Sequence, residues 1–164
     1  MPELTAAPGS RQYRVLAPGD AALMAELQAA SFAGGQPWDA KAMADLLAMP
    51  GAFGFIADWQ GRPRGYLLAR LAAAEAEIIS LAVHPAARRQ GLARGLLALL
   101  VRQTAALGGA RIFLEVAETN GPARALYDLS AFREVARRPG YYRDNDGAAV
   151  AAVVMAYNIE PPKS

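Results

Sequence analysis

Apolar and polar positions change period several times along this chain, and each change marks an element. Tyr13–Leu16 reads as a short strand. From Asp20, a residue type that caps helices, Leu23, Met24, Leu27 and Ala30 fall on one stripe and predict a helix through Ser31. Asp39, after Pro37-Trp38, predicts the cap of a second helix that ends before Pro50-Gly51. The pattern then turns strand-like. Ala52–Trp59 and Gly65–Leu71 flank the turn-rich Gln60-Gly61-Arg62-Pro63 and predict an antiparallel hairpin, and Glu77–Val83 predicts a further strand stopped by His84-Pro85. Gly91–Leu107 is the clearest helix, with Leu92, Leu96, Leu99, Leu100 and Leu107 at helical spacing and Gly108-Gly109 closing it. A strand at Arg111–Val116 follows, then a helix at Pro122–Ser130 with Asn120 near its cap. Phe132–Arg137 and Ala149–Asn158 read as the last strands, separated by a polar loop at Pro139–Gly147.

The order β-α-α-β-β-β-α-β-α-β-β predicts an α+β (mixed α/β) fold with a central, mostly antiparallel sheet and helices on both faces. At 164 residues the chain fits a single domain, placed at 13–158 between a Pro/Gly/Ser-rich flexible lead (1–12) and a frayed tail (159–164). With 54% hydrophobic and 20% charged residues, general disorder is excluded. The absence of cysteine excludes a disulfide framework, a thiolate nucleophile and a cysteine-ligated zinc, and the single histidine, His84, excludes a His-rich metal site, so no metal is expected. The N-terminus lacks the basic start and apolar stretch of a signal peptide, and the longest apolar run, Ala148–Tyr157, is too short to cross a bilayer. A soluble cytoplasmic protein without a membrane partner is the expectation. The net charge of +2 is too small to argue for nucleic acid. Arg133, Arg137, Arg138 and Arg143 form a basic group without an interleaved aromatic platform, so no direct nucleic-acid binding is expected.

The informative segment is LAVHPAARRQGLARG, Leu81–Gly95, where a strand runs through a short arginine-rich loop into a long helix. Backbone N–H groups at a helix start, with the positive end of the helix dipole, bind anions without special side chains. Gly91 and the small Ala93 let backbone approach a phosphate closely, and Arg88, Arg89 and Arg94 add positive charge. The segment carries neither a Walker loop nor a dinucleotide G-x-G-x-x-G. A pyrophosphate-bearing ligand accounts for it, the alternative being an ordinary loop with solvated arginines.

Further along, Ile112, Leu114 and Val116 alternate to one side of a strand and send Glu115 to the other. A carboxylate in so apolar a strand needs either a salt-bridge partner or a cleft. Tyr127, beside Leu126, is either a core-packing aromatic or a hydroxyl aimed at chemistry. His84 reads as a strand-end residue, and Ser80 with His84 lacks the elbow of an acyl-serine hydrolase. Glu75, Glu77 and Glu118 read as solvated carboxylates, the alternative being that they hold a basic residue of an acceptor.

Taken together, R-x-x-G-x-A after a strand, then LEV, Asn120 and ALYDLSAF, resembles the acetyl-CoA-binding core of the Gcn5-related N-acetyltransferases (GNAT superfamily). Gln36-Pro37-Trp38, LAVHP, RRQGLARGLL, LEVAETN, ALYDLSAF and Gly140-Tyr141-Tyr142-Arg143 together resemble the ribosomal-protein-alanine (RimI-type) members, over about Tyr13 to Tyr157. The resemblance implies an acetyl-CoA-dependent N-acetyltransferase that acts on a protein N-terminal amine, with alanine first, by direct transfer in a ternary complex. It also implies that Leu81, Ala82 and Val83 pair with the pantetheine amides. The pyrophosphate falls to Arg89, Gln90, Gly91, Leu92, Ala93 and Arg94, and Asn120 stands near the thiol end. Glu115 takes the general base's position and Tyr127 the general acid's. Apart from the resemblance, Tyr141 and Tyr142, in the loop before the last strand, either grip the peptide N-terminus or fold onto the sheet as loop aromatics. Two rivals stand beside this reading: the same machinery acting on a lysine or small-molecule amine, and a non-catalytic acetyl-CoA-binding regulatory module. The chain departs from the family pattern in three places. Ala131 replaces a glycine of L-G-F, Ala117-Glu118-Thr119 stands where arginine is common, and Ala93 replaces a loop glycine.

Overall fold

The computed structural model describes residues 9–32 and 38–161. The expected order is realised as β1 (Arg11–Val15), α1 (Ala21–Ser31), α2 (Ala40–Leu47), β2 (Ala52–Trp59), β3 (Arg62–Ala72), β4 (Glu75–Val83), α3 (Leu92–Ala106), β5 (Arg111–Ala117), α4 (Gly121–Leu129), β6 (Arg133–Arg143) and β7 (Ala149–Asn158). The strands form one seven-stranded sheet in the order β1-β2-β3-β4-β5-β7-β6, antiparallel everywhere except between β4 and β5. Of the expected features, Gln36 and Pro37, most of the N-terminal lead and the end of the tail lie outside the described residues.

Each face of the sheet carries its own core. On one face α3 and α4 cover β2 to β7 through Leu92, Leu96, Leu97, Leu100 and Tyr127, packed on Leu67, Ile112, Leu114, Phe132 and Met155. On the other, α1 and α2 bring Met24, Leu27 and Met43 onto Ile56, Tyr66 and Leu68. A fully buried leucine or methionine adds about 1.5–3 kcal/mol by leaving water, so these contacts set the placement of both helix layers. The helical stripes hold except at their ends, where Ala30 is exposed and Leu107, at the C-terminal cap of α3, is half exposed.

Differences from the expected boundaries have local causes. β1 begins at Arg11 because Arg11 and Gln12 pair with Trp59 and Asp58 of β2. Gln60 and Gly61, at φ 52° and 79°, make the whole β2–β3 turn, so Arg62 and Pro63 join the ladder. Asp20 sits at the N-cap of α1 but its side chain does not cap the helix; it turns back to accept from Ala17 N at 2.8 Å and from both Nη atoms of Arg14. That pairing holds the Asp20 carboxyl below its ordinary range. Asp39, by contrast, caps α2 as expected, accepting from Ala42 N.

The largest difference is β6. The expected Pro139–Gly147 loop is strand as far as Arg143, so Tyr141 and Tyr142 lie on β6, not in a loop. Pro139 fits there because β6 is the sheet's edge and its missing N–H costs no ladder bond.

Ala131, in the turn before β6, adopts φ 67°. Left-handed backbone at a residue with a Cβ is strained. Ala131→Gly is therefore expected to stabilise the fold by about 0.5–1 kcal/mol, the relieved strain exceeding the entropy glycine adds to the unfolded chain. Chemical denaturation of the two proteins checks this, and an unchanged or lower midpoint would mean the turn carries no strain.

One irregularity shapes the interior. β3 and β4 slip register so that Ala69 faces Ile78 while Leu68 faces Ser80, which leaves Ile79 as an extra residue in β4. Such a bulge bends its strand. β4 consequently pairs with β5 only from Glu75 to Glu77, and the two strands part beyond that point.

Candidate active site

The parting of β4 from β5 opens a cleft of about 500 Å3, lined by β4, by β5 from Leu114 to Ala117, by Asn120 and Tyr127 at α4, and by Phe32, Trp38 and Tyr142. A second hollow of about 400 Å3 shares Val83, Arg88, Ala93 and Leu126 with the first and runs to the start of α3. Chemistry-bearing groups therefore line one continuous path from the arginine loop into the split sheet.

Beyond the bulge, β4 has a free edge on the cleft. His84 N bonds Arg64 O on β3, so alternation turns the N–H and C=O of Ala82 toward β3 and those of Leu81 and Val83 toward the cleft. Ser31 Oγ lies 3.1 Å from Val83 O but shares its one proton with Leu27 O at 2.6 Å, so Leu81 and Val83 form the open edge. The expectation named three residues there; two present backbone to the cleft and Ala82 supplies ladder bonds instead.

At the other end, Gly91 is the N-cap of α3 at φ 79° and offers no side-chain cap, so the first N–H groups of the helix have no side-chain partner from it. Arg89 also takes a positive φ, 62°. Arg11 of β1 donates to Gln90 O at 3.1 Å and fixes the bend from outside. A Cβ on Gly91 would overlap the Arg11 guanidinium, and one on Gly95 would overlap the Tyr13 hydroxyl. Arg88, Arg89 and Arg94 line the second hollow, and the guanidinium of Arg88 donates to Ser31 O at 2.9 Å. The bend has the backbone freedom, dipole and charge that a diphosphate needs.

Glu115 and Tyr127 line the first hollow together. Glu115 points away from the buried Ile112, Leu114 and Val116, as the alternation of β5 requires. Both alternatives weighed for it are realised at once: it faces the cleft and its Oε1 lies 3.3 Å from Nη2 of Arg138. Tyr127 is 8% exposed and packs on Phe132, with ring centroids 5.7 Å apart. Burial pushes its hydroxyl up to about 12, so it carries its proton throughout the working pH range. Asn120 caps α4, accepting from Ala123 N at 3.3 Å, at the rim of the same hollow.

Tyr142 also reaches the cleft, while Tyr141 is 55% exposed and meets Tyr142 edge-on at 5.0 Å. Burial, and then the Glu115 charge, raise the Tyr142 hydroxyl above its ordinary value. His84 accepts from Ala86 N and starts a short turn, and Ser80 is tied to the Tyr66 hydroxyl at 2.6 Å, so each is engaged with another partner and not with the other. Glu118 is not a solvated carboxylate: it accepts from Arg137 and from Ala151 N, which neutralises the charge it brings near the cleft. Glu75 lies 3.9 Å from Arg111.

Four contributors are not singled out by the sequence. Ser31 carries no local motif. Arg11 and Tyr13 alternate on β1 above Gly91 and Gly95, spaced one turn apart on α3, and that paired spacing is a usable signal. Arg138 was visible only as part of a basic group. Among the described residues no helix is long and apolar enough to cross a membrane.

A family model described as acetyltransferase (GNAT) family matches residues 21–132, more than half of the chain. The chain is 42% identical over 82 residues to the ribosomal protein bS18-alanine N-acetyltransferase of Haemophilus ducreyi, covering 50% of this chain and 57% of that relative. It thus spans little more than half of that protein's length. The N-alpha-acetyltransferase RimI of Mycobacterium tuberculosis is 37% identical over 128 residues, 76% of this chain and 79% of the relative. The crystal structure of the ribosomal-protein-S18-alanine N-acetyltransferase from Escherichia coli superposes with a TM-score of 0.84 at 27% identity, over 94% of this chain and 97% of that one.

Proposed function

Because this chain belongs to the acetyltransferase (GNAT) family, we propose that it transfers acetyl from acetyl-CoA to the N-terminal α-amine of a protein. The preferred acceptor begins with alanine, as the names of its relatives suggest, and a ribosomal protein in the cytoplasm is the proposed partner. One observation carries the reading. A carboxylate and a protonated tyrosine line a single cleft that opens onto a helix start suited to a diphosphate.

The residues fit the coenzyme. Gly91 provides the left-handed bend that presents the first turn of α3, that turn supplies N–H groups, and Arg89 and Arg94 supply charge for the diphosphate. The free edge of β4 at Leu81 and Val83 offers strand-like hydrogen bonds to an amide-bearing arm. Asn120 stands at the rim near Tyr127.

Within this site the chemistry must take two protons from nitrogen and deliver one to sulfur. An α-amine has a pKa of about 7.7–8.0 and is largely protonated at neutral pH. Glu115 takes a proton from the ammonium, directly or through water, and frees the nitrogen lone pair. The nitrogen bonds to the acetyl carbonyl carbon, the carbon–sulfur bond breaks as Tyr127 hands its proton to the departing sulfur, and the second proton that the nitrogen sheds in becoming an amide returns to the Tyr127 oxygen. Direct transfer needs no acyl-enzyme, in keeping with a chain that has no cysteine.

The test is acetyl-CoA consumption against a panel of N-alanyl peptides, lysine peptides, polyamines and free amino acids. Alanyl peptides are expected to be the best acceptors, and acetylation confined to the others would overturn the assignment. Tyr127→Phe is expected to lower kcat by about tenfold with little change in acetyl-CoA affinity. The effect is modest because a thiol with an ordinary pKa of about 8.5 leaves without much help. Wild-type rates in that variant would remove Tyr127 as the acid.

A further inference from the structure

Arg138 reaches Glu115 from two strands away. On β7, Val154 stands opposite Glu115 and Ala152 opposite Arg138, so both side chains rise from one face of the sheet, two residues apart. The Arg138 guanidinium lies 3.3 Å from Glu115 Oε1 and 5.6 Å from the ring centroid of Tyr141. It is held by a carboxylate on one side and an aromatic face on another, an arrangement suited to a planar guanidinium. Only one of its five N–H donors is needed for Glu115, and its side chain stays 59% exposed.

We propose that Arg138 is a specificity-determining residue that donates a hydrogen bond to the first carbonyl oxygen of the acceptor, and so selects α-amines over other amines. This rests on Glu115 meeting the acceptor amine as proposed above. In an N-terminal residue the amine nitrogen and its own carbonyl oxygen are three bonds, about 3 Å, apart. Glu115 and Arg138 present an acceptor and a donor at that same separation. The carboxylate receives the ammonium while the guanidinium donates to the carbonyl. A lysine ε-amine or a polyamine places methylene groups at that point and leaves the guanidinium without an oxygen. Sites built to hydrogen-bond one substrate group discriminate strongly against analogues that lack it.

The experiment compares kcat/KM for an N-alanyl peptide with that for an N-terminally blocked peptide carrying one lysine, in wild type, Arg138→Gln and Arg138→Lys. For Arg138→Gln the alanyl value is expected to fall about 10–100-fold, mostly through KM, as for loss of one charge-assisted hydrogen bond. The lysine value should fall much less, because the pairing of Arg138 with Glu115 serves both acceptors whereas the carbonyl contact serves only the alanyl peptide. Arg138→Lys is expected to retain part of the preference. Unchanged thermal unfolding and acetyl-CoA affinity show that each variant is folded. An equal fall for both peptides, or no fall for the alanyl peptide, overturns the role of Arg138 while leaving the proposed activity intact. Failure of wild type to acetylate the alanyl peptide overturns the activity itself, and this inference with it.

Discussion

Glu115→Gln is expected to lower kcat/KM for an alanyl peptide by about 10²–10³ at pH 7, the usual worth of a positioned general base, with acetyl-CoA affinity nearly unchanged. The amide keeps the shape of the carboxylate beside Arg138, so the cleft should persist. What disappears is a site for the ammonium proton. The variant must wait for amine that is already deprotonated, and that fraction falls about tenfold per pH unit below the α-amine pKa of about 7.7–8.0. The deficit relative to wild type should therefore widen as pH drops from 8 to 6 and narrow above 8. A kcat/KM profile over that range, with coenzyme affinity measured by calorimetry, checks it. A deficit that is the same at every pH would make Glu115 a positioning group and not a base.

Gly91→Val should act at the other end of the cleft and on the other step. Gly91 adopts φ 79°, and a β-branched residue held there costs about 1–3 kcal/mol. A Cβ would also drive the Arg11 guanidinium off Gln90 O, which releases the bend that presents the α3 N-terminus. Acetyl-CoA affinity is expected to fall about 100-fold, close to 3 kcal/mol. Turnover at saturating coenzyme should change far less, since Glu115 and Tyr127 lie beyond the bend. Gly91→Ala should show a smaller loss in the same direction. Calorimetric titration decides it, and normal affinity in Gly91→Val would mean that the diphosphate is held elsewhere.

The two variants separate the parts of the site by their physical basis. Gly91 acts through backbone conformation, and its loss appears as binding. Glu115 acts through proton affinity, and its loss appears as a pH-dependent rate. Arg138 acts through a hydrogen bond to one class of acceptor, and its loss appears as a changed ratio between acceptors.

Most elements were legible in the chain itself because periodicity and punctuation are local. The leucine stripe of α3, the Asp39 and Asn120 caps and the alternation of Ile112, Leu114 and Val116 depend on neighbours within a few residues, and the elements they mark form where expected. The strained turn at Ala131 was likewise readable, since a family glycine replaced by alanine flags a positive φ. Two misplacements came from the same source. Local pattern makes Asp20 a cap, but Arg14 and Ala17 compete for its carboxylate. Tyr141 and Tyr142 were placed in a loop because Pro139 and Gly140 read as turn residues, whereas an edge strand tolerates both.

The site itself depends on shifts of single residues in strand pairing, which no local pattern reports. The extra residue Ile79 parts β4 from β5 and makes the cleft. A second slip, between Glu134 and Ala136, decides which arginine faces Glu115: without it Arg137 would stand opposite Ala152, and with it Arg138 does. Side chains alternate with period two, so one inserted residue sends every later side chain to the opposite face. Residue types and their spacing thus dictated the helices, the strands and the anion-binding bend, all of which rest on short-range contacts. Which charges meet across the cleft was left to pairing between strands distant in the chain, where the register is chosen by the packing of both sheet faces.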